Sequence, residues 1–257
     1  TAVCGRLATT AGTASGTSAA LLSGTLPGGM HFTAALPPVA VGGPVVELRR
    51  SNRPPIGAPA LVQKGVLSPP LFEVLQRAVG AGRNVAVVGV GDAVGDILAA
   101  VTNATADDGQ RLVVVEDRPT LDLGPSAVRL CAAPGADLGT VIKQGSRLGF
   151  DRLVIDGVRG PEALDAIVAL AGRRGGMVGI RSGGGPDPMG HMMALAEMAG
   201  ATPHAFARLL PNAIQIVVLV GRSGRVEGVS EIHPDPNGYR VNGLFTTEFQ
   251  QSGQPSF

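Results

Sequence analysis

The sequence predicts an α/β fold, a mostly parallel sheet flanked by helices with an antiparallel hairpin at its edge. Three observations predict it. From Asn84 onward, strand-like and helix-like segments alternate. The segments "VAVVGV", "RLVVVED", "DRLVIDG" and "GMVGIRS" are apolar on both faces, as strands covered from two sides must be. A chain of 257 residues with 44% hydrophobic content can bury a sizeable core together with a smaller unit.

In chain order, residues 1–24 carry little pattern and read as a flexible lead. They lack a basic segment, a compact apolar block and a starting Met, so they do not read as a signal peptide. Residues 24–50 give short alternating runs broken by Pro-Gly, Pro-Pro and Gly-Gly, a small β-rich unit ending in an arginine-bearing strand. "SNRPPIGAPA" opens a proline-rich linker. "SPPLFEVLQRAVGAG" is a helix with legible ends: Ser68 at its N-cap, prolines in the first turn and Gly at its close. Helices follow at "VGDILAAVTNA", "LGTVIKQGSRLG", "PEALDAIVALAGRR", "DPMGHMMALAEMAG" and "TPHAFARLLPN", between and after the four strands. "AIQIVVLVGRSGRVEGVSEI" closes the pattern as a hairpin turning at Arg222-Ser223-Gly224-Arg225.

Composition excludes several classes of function. A formal net charge of +1 provides no global field for nucleic acid or anionic membrane. No apolar run reaches the roughly 18 residues that a membrane span needs. Cys4 and Cys131 match no metal spacing and read as reduced thiols of a cytosolic protein. His31, His191, His204 and His233 share no ligand spacing either. Charged residues make up only 16%, against a usual value of roughly 25%, which hints at surface covered by oligomerisation.

The stretch "GVGDAVGD" between the first parallel strand and its helix carries the functional question. Read as a dinucleotide site, Gly89, Gly91 and Gly95 form the turn and Glu116 reaches a ribose hydroxyl, but Val94 stands where the third glycine belongs. Read as a P-loop, Gly89 comes first, Val94 takes the second glycine, Gly95 the lysine and Asp96 the hydroxyl residue. Losing the lysine removes on the order of 1.5–3 kcal/mol of charge-assisted contact, and Asp96 sets a carboxylate against phosphates. A third reading is a tight turn with no ligand.

Longer segments resemble a known family. "LSPPLFEVLQRAVGAGRNVAVVGVG", "RLVVVEDRPTLDL" and "FDRLVIDGVRGPEALDAI" are similar to the P-loop lead-in, acidic box and second Walker segment of secretion and pilus-assembly ATPases. The match points to the Tad/Cpa (Flp pilus) branch of the type II/IV secretion superfamily. "LPGGMHFTAALPPVAVGGPVVELRR" resembles the end of that family's PAS-like N-terminal domain, and the final helices and hairpin match its C-terminus. The resemblance spans roughly residues 24–250 and implies a RecA-like P-loop NTPase core. The implied division is a partial N-terminal domain with its lead at 1–53, a linker at 54–67, the core at 68–250 and a flexible tail at 251–257.

Carried onto this chain, the family's catalytic set is degenerate. The lysine position is Gly95, the magnesium-binding threonine Asp96, the second Walker glutamate Gly157 and the box histidine Ser182. Glu116 and Asp117 of the acidic box are retained, and Asp156 stands one place before the lost glutamate. Arg159 is read as tying a strand end to a neighbouring carboxylate. The resemblance thus implies a pseudo-ATPase with no cofactor, acting as a structural or regulatory subunit. The implied partners are an active ATPase paralogue, an inner-membrane platform protein or further copies of itself, at the cytoplasmic face of the inner membrane. Two alternatives stand beside it: a weak ATPase using ATP and Mg²⁺ through Glu116, Asp156 and Arg181, and an NAD(P)- or nucleotide-sensing protein using Gly89, Gly91, Gly95 and Glu116.

Overall fold

A computed structural model of the chain describes residues 2–12, 20–27, 30–50, 57–107, 109–124, 126–133 and 135–246. The predicted alternation folds into an eight-stranded sheet. Its strands are β4 (Val85–Gly89), β5 (Leu112–Glu116), β6 (Val128–Cys131), β7 (Arg152–Val158), β8 (Met177–Arg181), β9 (Ile216–Val220), β10 (Val226–Asp235) and β11 (Gly238–Thr246). They lie in the order β11-β10-β9-β4-β8-β7-β5-β6. The six strands from β9 to β6 run parallel, and β10 and β11 add an antiparallel edge.

Because side chains alternate across a strand, each parallel strand feeds both faces. Val85, Val87, Val114, Val154 and Met177 point to one side, where helices α3 (Pro69–Gly80) and α4 (Ala93–Thr105) cover them. Ala86, Val88, Val113, Val115, Leu153, Ile155 and Val178 point to the other. That face is covered by α5 (Leu138–Gly145), α6 (Glu162–Leu170), α7 (Pro188–Met198) and α8 (Pro203–Ala213). Asn84, fully buried at the entrance to β4, fastens the two layers. Its amide donates to the carbonyls of Leu170, Arg173 and Ala213 at 3.0, 3.1 and 2.8 Å and accepts from Gly176 N–H at 2.8 Å.

The N-terminal β-rich unit is a three-stranded antiparallel sheet of β1 (Leu21–Thr25), β2 (Met30–Ala35) and β3 (Val45–Arg50). The expectation of a patternless lead is corrected: Ala2–Thr10 forms helix α1, which buries Cys4 and Ala8 with Phe32 and Ala34. Within the stretch expected to be a linker, Ala58–Gln63 forms helix α2 and buries Leu61 in the core. Residues 13–19, 54–56 and the expected tail 251–257 lie outside the described residues. Strands β6 and β11 were not expected either. Among the described residues, no helix is long and apolar enough to cross a membrane.

Candidate functional site

The C-terminal ends of β4, β5, β7 and β8 meet at a cleft of about 640 Å³. Its lining includes Gly91, Asp92, Gly95 and Asp96 of the glycine loop, Asp117, Arg118, Asp156, Gly157, Arg159 and Arg181, with His31 from the N-terminal unit. This is where an open parallel sheet offers a ligand site, outside the carboxyl ends of its strands. Gly89 ends β4, and Gly91 takes the left-handed turn at φ +73° that swings the chain into α4. Asp92 sits at the N-cap without capping the helix through its side chain.

The residues expected at the phosphate, metal and sensor positions have the following surroundings. A Cβ built on Gly95 would lie 3.3 Å from Asp156 Oδ2, 3.4 Å from Leu121 Cδ2 and 3.5 Å from Arg181 Nη2. A side chain at this position would start in contact with Asp156, Leu121 and Arg181. Arg181 reaches this position from the end of β8, where its backbone faces Gly89 across the sheet. Its Nη1 donates to the Gly91 carbonyl at 2.9 Å, and its Nη2 to both oxygens of Asp156 at 3.0 and 2.8 Å. Burial pushes the Asp156 carboxyl up to about 6, against the lowering effect of Arg181.

Gly157 cannot carry the glutamate of a second Walker segment on this backbone. Its φ is +94°, and a Cβ there would lie 2.5 Å from the Cβ of Asp117. The β7–β8 register also shifts between Ile155 and Val158, so the irregularity belongs to the strand itself. Ser182, expected at the box-histidine position, accepts through Oγ from Gly184 N–H at 3.2 Å and closes a local turn.

The acidic box divides into two roles. Glu116 is only 1% exposed. Its Oε1 accepts from the N–H groups of Thr120 and Leu121, both at 2.7 Å, and its Oε2 from Arg129 Nη2 at 2.6 Å and Nε at 3.2 Å. This corrects the readings that use it on a ribose hydroxyl or an attacking water: all its acceptor positions are taken by the protein. Asp117 does face the cleft, 3.4 Å from Arg159 Nη1 and 3.7 Å from Arg118 Nε. The expected tie between Arg159 and a nearby carboxylate is therefore present. Of the weak-ATPase trio, Asp156 and Arg181 form a closed ion pair, and Glu116 lies beside Asp156 in register across β5 and β7 with its oxygens held by Thr120, Leu121 and Arg129.

Three contributors were not found by sequence reasoning. Arg129 comes from strand β6, Arg118 follows the acidic pair Glu116-Asp117 with no role of its own in that box, and His31 arrives from a separate unit. Burial and Arg118 together hold the His31 imidazole below its ordinary range. Among the described residues, no group of three or more His, Cys, Asp or Glu is placed to hold a metal ion.

No family model matches the chain. It is 29% identical over 246 residues to the conjugal transfer protein TrbB of Rhizobium radiobacter, covering 92% of this chain and 74% of that protein. It is also 29% identical over 233 residues to a putative conjugal transfer protein of Mycobacterium tuberculosis, covering 80% of this chain and 66% of the relative. The solved structure of the VirB11 ATPase from the Brucella suis type IV secretion system, in complex with sulphate, superposes with a TM-score of 0.52 at 21% identity. That match covers 92% of this chain and 76% of VirB11. The ATPase DotB of Yersinia pseudotuberculosis gives a TM-score of 0.50 at 11% identity, covering 84% of this chain and 54% of DotB. The chain thus spans between about half and three quarters of the length of these proteins. It is similar to conjugal transfer proteins along most of its own sequence and shares the fold of the VirB11 and DotB secretion ATPases.

Proposed function

We propose that the chain is a catalytically silent homologue of a secretion ATPase, acting as a structural or regulatory subunit of a type IV secretion machine. The similarity to conjugal transfer proteins supports the machine. The sequence boxes quoted above favour the Tad pilus branch within it. One observation carries the silence: the place of the phosphate-binding lysine is taken by Arg181, already paired with Asp156 and the Gly91 carbonyl. Phosphoryl transfer rests on positioning and on charge stabilisation by a lysine and a metal. Here Gly95 offers no cation, and Asp92 and Asp96 bring carboxylates to the loop. Such a subunit acts through contacts with other proteins: an active paralogue, a membrane platform protein or copies of itself. In native extract, the tagged chain is expected to recover a lysine-bearing ATPase paralogue or an inner-membrane platform protein, and to hydrolyse no ATP when purified alone. ATP turnover by the purified chain that disappears in Asp117→Asn would overturn the proposal.

A further inference from the structure

We propose that Arg181 is an internal ligand of the glycine loop: it ties the loop to strand β7 and holds it in one conformation whether or not nucleotide is present. The inference rests on the silent-site reading and adds to it a mechanical role for the residue that fills the site.

The tie joins the glycine loop, β7 and β8. Nη1 holds the Gly91 carbonyl, in the turn between β4 and α4, and Nη2 holds the Asp156 carboxylate at the end of β7. One planar guanidinium thus bridges two segments that are not hydrogen-bonded neighbours in the sheet, since β8 lies between β4 and β7. The fork geometry of arginine matches a carboxylate and a carbonyl together, which a lysine's point charge does not.

The arginine's backbone is fixed on both sides. Ser182 N–H donates to Gly89 O at 2.9 Å, and His191 Nε2 from α7 lies 3.1 Å from Arg181 O. The Arg181 side chain is about one-fifth exposed and that of Asp156 almost wholly buried, so the ion-paired arm of the bridge is set into the wall of the cleft, while the Gly91 arm lies at its surface.

The surrounding residues fit the bridge and not a nucleotide. Gly95 leaves room for the guanidinium, since a Cβ there would already touch both partners. Gly179 does the same for Asp156, because a Cβ at that position would lie 2.3 Å from Oδ1. Two glycines, one acid and one arginine from α4, β7 and β8 therefore form a single fitted set. A loop that needs a triphosphate to order it would respond to nucleotide; this one carries its cation already seated.

The test is hydrogen exchange on the full chain at the amides that bond within or across the loop. Val90 N–H donates to Val220 O, Asp96 N–H to Asp92 O and Ser182 N–H to Gly89 O. In Arg181→Ala, exchange at these sites should rise roughly ten- to hundredfold, the loss that follows removal of a charge-assisted contact, while β7 and β9 keep their protection. Arg181→Lys should give an intermediate rise, and millimolar methylguanidinium should restore protection to the alanine variant. Arg181→Gln, which keeps most of the side-chain volume, replaces the alanine variant if that one does not fold. Exchange within twofold of wild type at Val90, Asp96 and Ser182, with the strands intact, would overturn the tie. Exchange in wild type that slows on addition of Mg-ATP would instead remove the silent-site reading on which it rests.

Discussion

Restoring the glutamate of the second Walker segment by Gly157→Glu should damage the fold without creating activity. The backbone at Gly157 has φ +94°, a region that costs a residue with a Cβ about 1–2 kcal/mol. The new Cβ would also lie 2.5 Å from Asp117 Cβ and 3.2 Å from Asp117 N. Neither neighbour is the free end of a flexible side chain: Asp117 is held by its N–H on Asp156 O at 3.1 Å. Relieving that overlap adds about 1–3 kcal/mol. The two effects together predict a loss of about 2–5 kcal/mol of unfolding free energy. Urea unfolding, with the slope compared to confirm an unchanged two-state transition, measures it. Gly157→Ala serves as the control because it introduces the same Cβ without the carboxylate, and it should lose nearly as much. An alanine variant within about 0.5 kcal/mol of wild type, the range of an ordinary surface change, would refute the reasoning about this backbone.

Three further outcomes follow from the same geometry. Asn84→Ala strands three carbonyls and the Gly176 N–H at the junction of the layers and should cost at least about 3 kcal/mol in urea unfolding; a loss below about 1 kcal/mol would show that the junction relaxes. Burial, the largest cause, and Glu116 push the Asp156 carboxyl to about 6 from 3.8, against Arg181 and Arg159, so it stabilises the fold below about pH 4 and that contribution is lost as pH rises through 6. At 1.36 kcal/mol per pH unit this amounts to on the order of 3 kcal/mol, so the stability of wild type relative to Asp156→Asn should fall by about that much between pH 4 and pH 7, and a difference independent of pH would contradict it. The Cys131 thiol is pushed up to about 11 by partial burial, with Glu116 and Asp117 adding to it, so iodoacetamide should modify it far more slowly at pH 8 than it modifies a free cysteine; equal rates would place the sulfur in a different environment.

The parallel sheet was legible because its strands are short, continuous apolar runs that only a doubly covered strand tolerates, as at Val85–Gly89 and Leu112–Glu116. Where the pattern failed, burial is partial. Strand β6 is four residues long and alternates half-buried with exposed positions, and β11 follows a Pro-Asn-Gly turn with mixed polar residues. Helix α1 is built mostly of small residues, and α2 is six residues long within a Gly- and Pro-rich stretch. At the site, P-loop spacing drew attention to Gly95 and Asp96, and the resemblance to the secretion ATPases to Gly157 and Ser182. What fills them was not legible. Arg181 reaches Gly95 only because β8 lies beside β4 in the sheet, with Gly89 opposite Arg181. Glu116 is occupied because Arg129 comes from β6, a strand that local sequence does not announce.

The most direct measurement is isothermal titration of the purified chain with Mg-ATP. A phosphate loop whose cation position is already filled by an arginine paired to Asp156 predicts no saturable heat up to millimolar nucleotide, in wild type and in Gly95→Lys alike. Saturable binding in the micromolar range by wild type, abolished by Gly91→Val, would contradict the account.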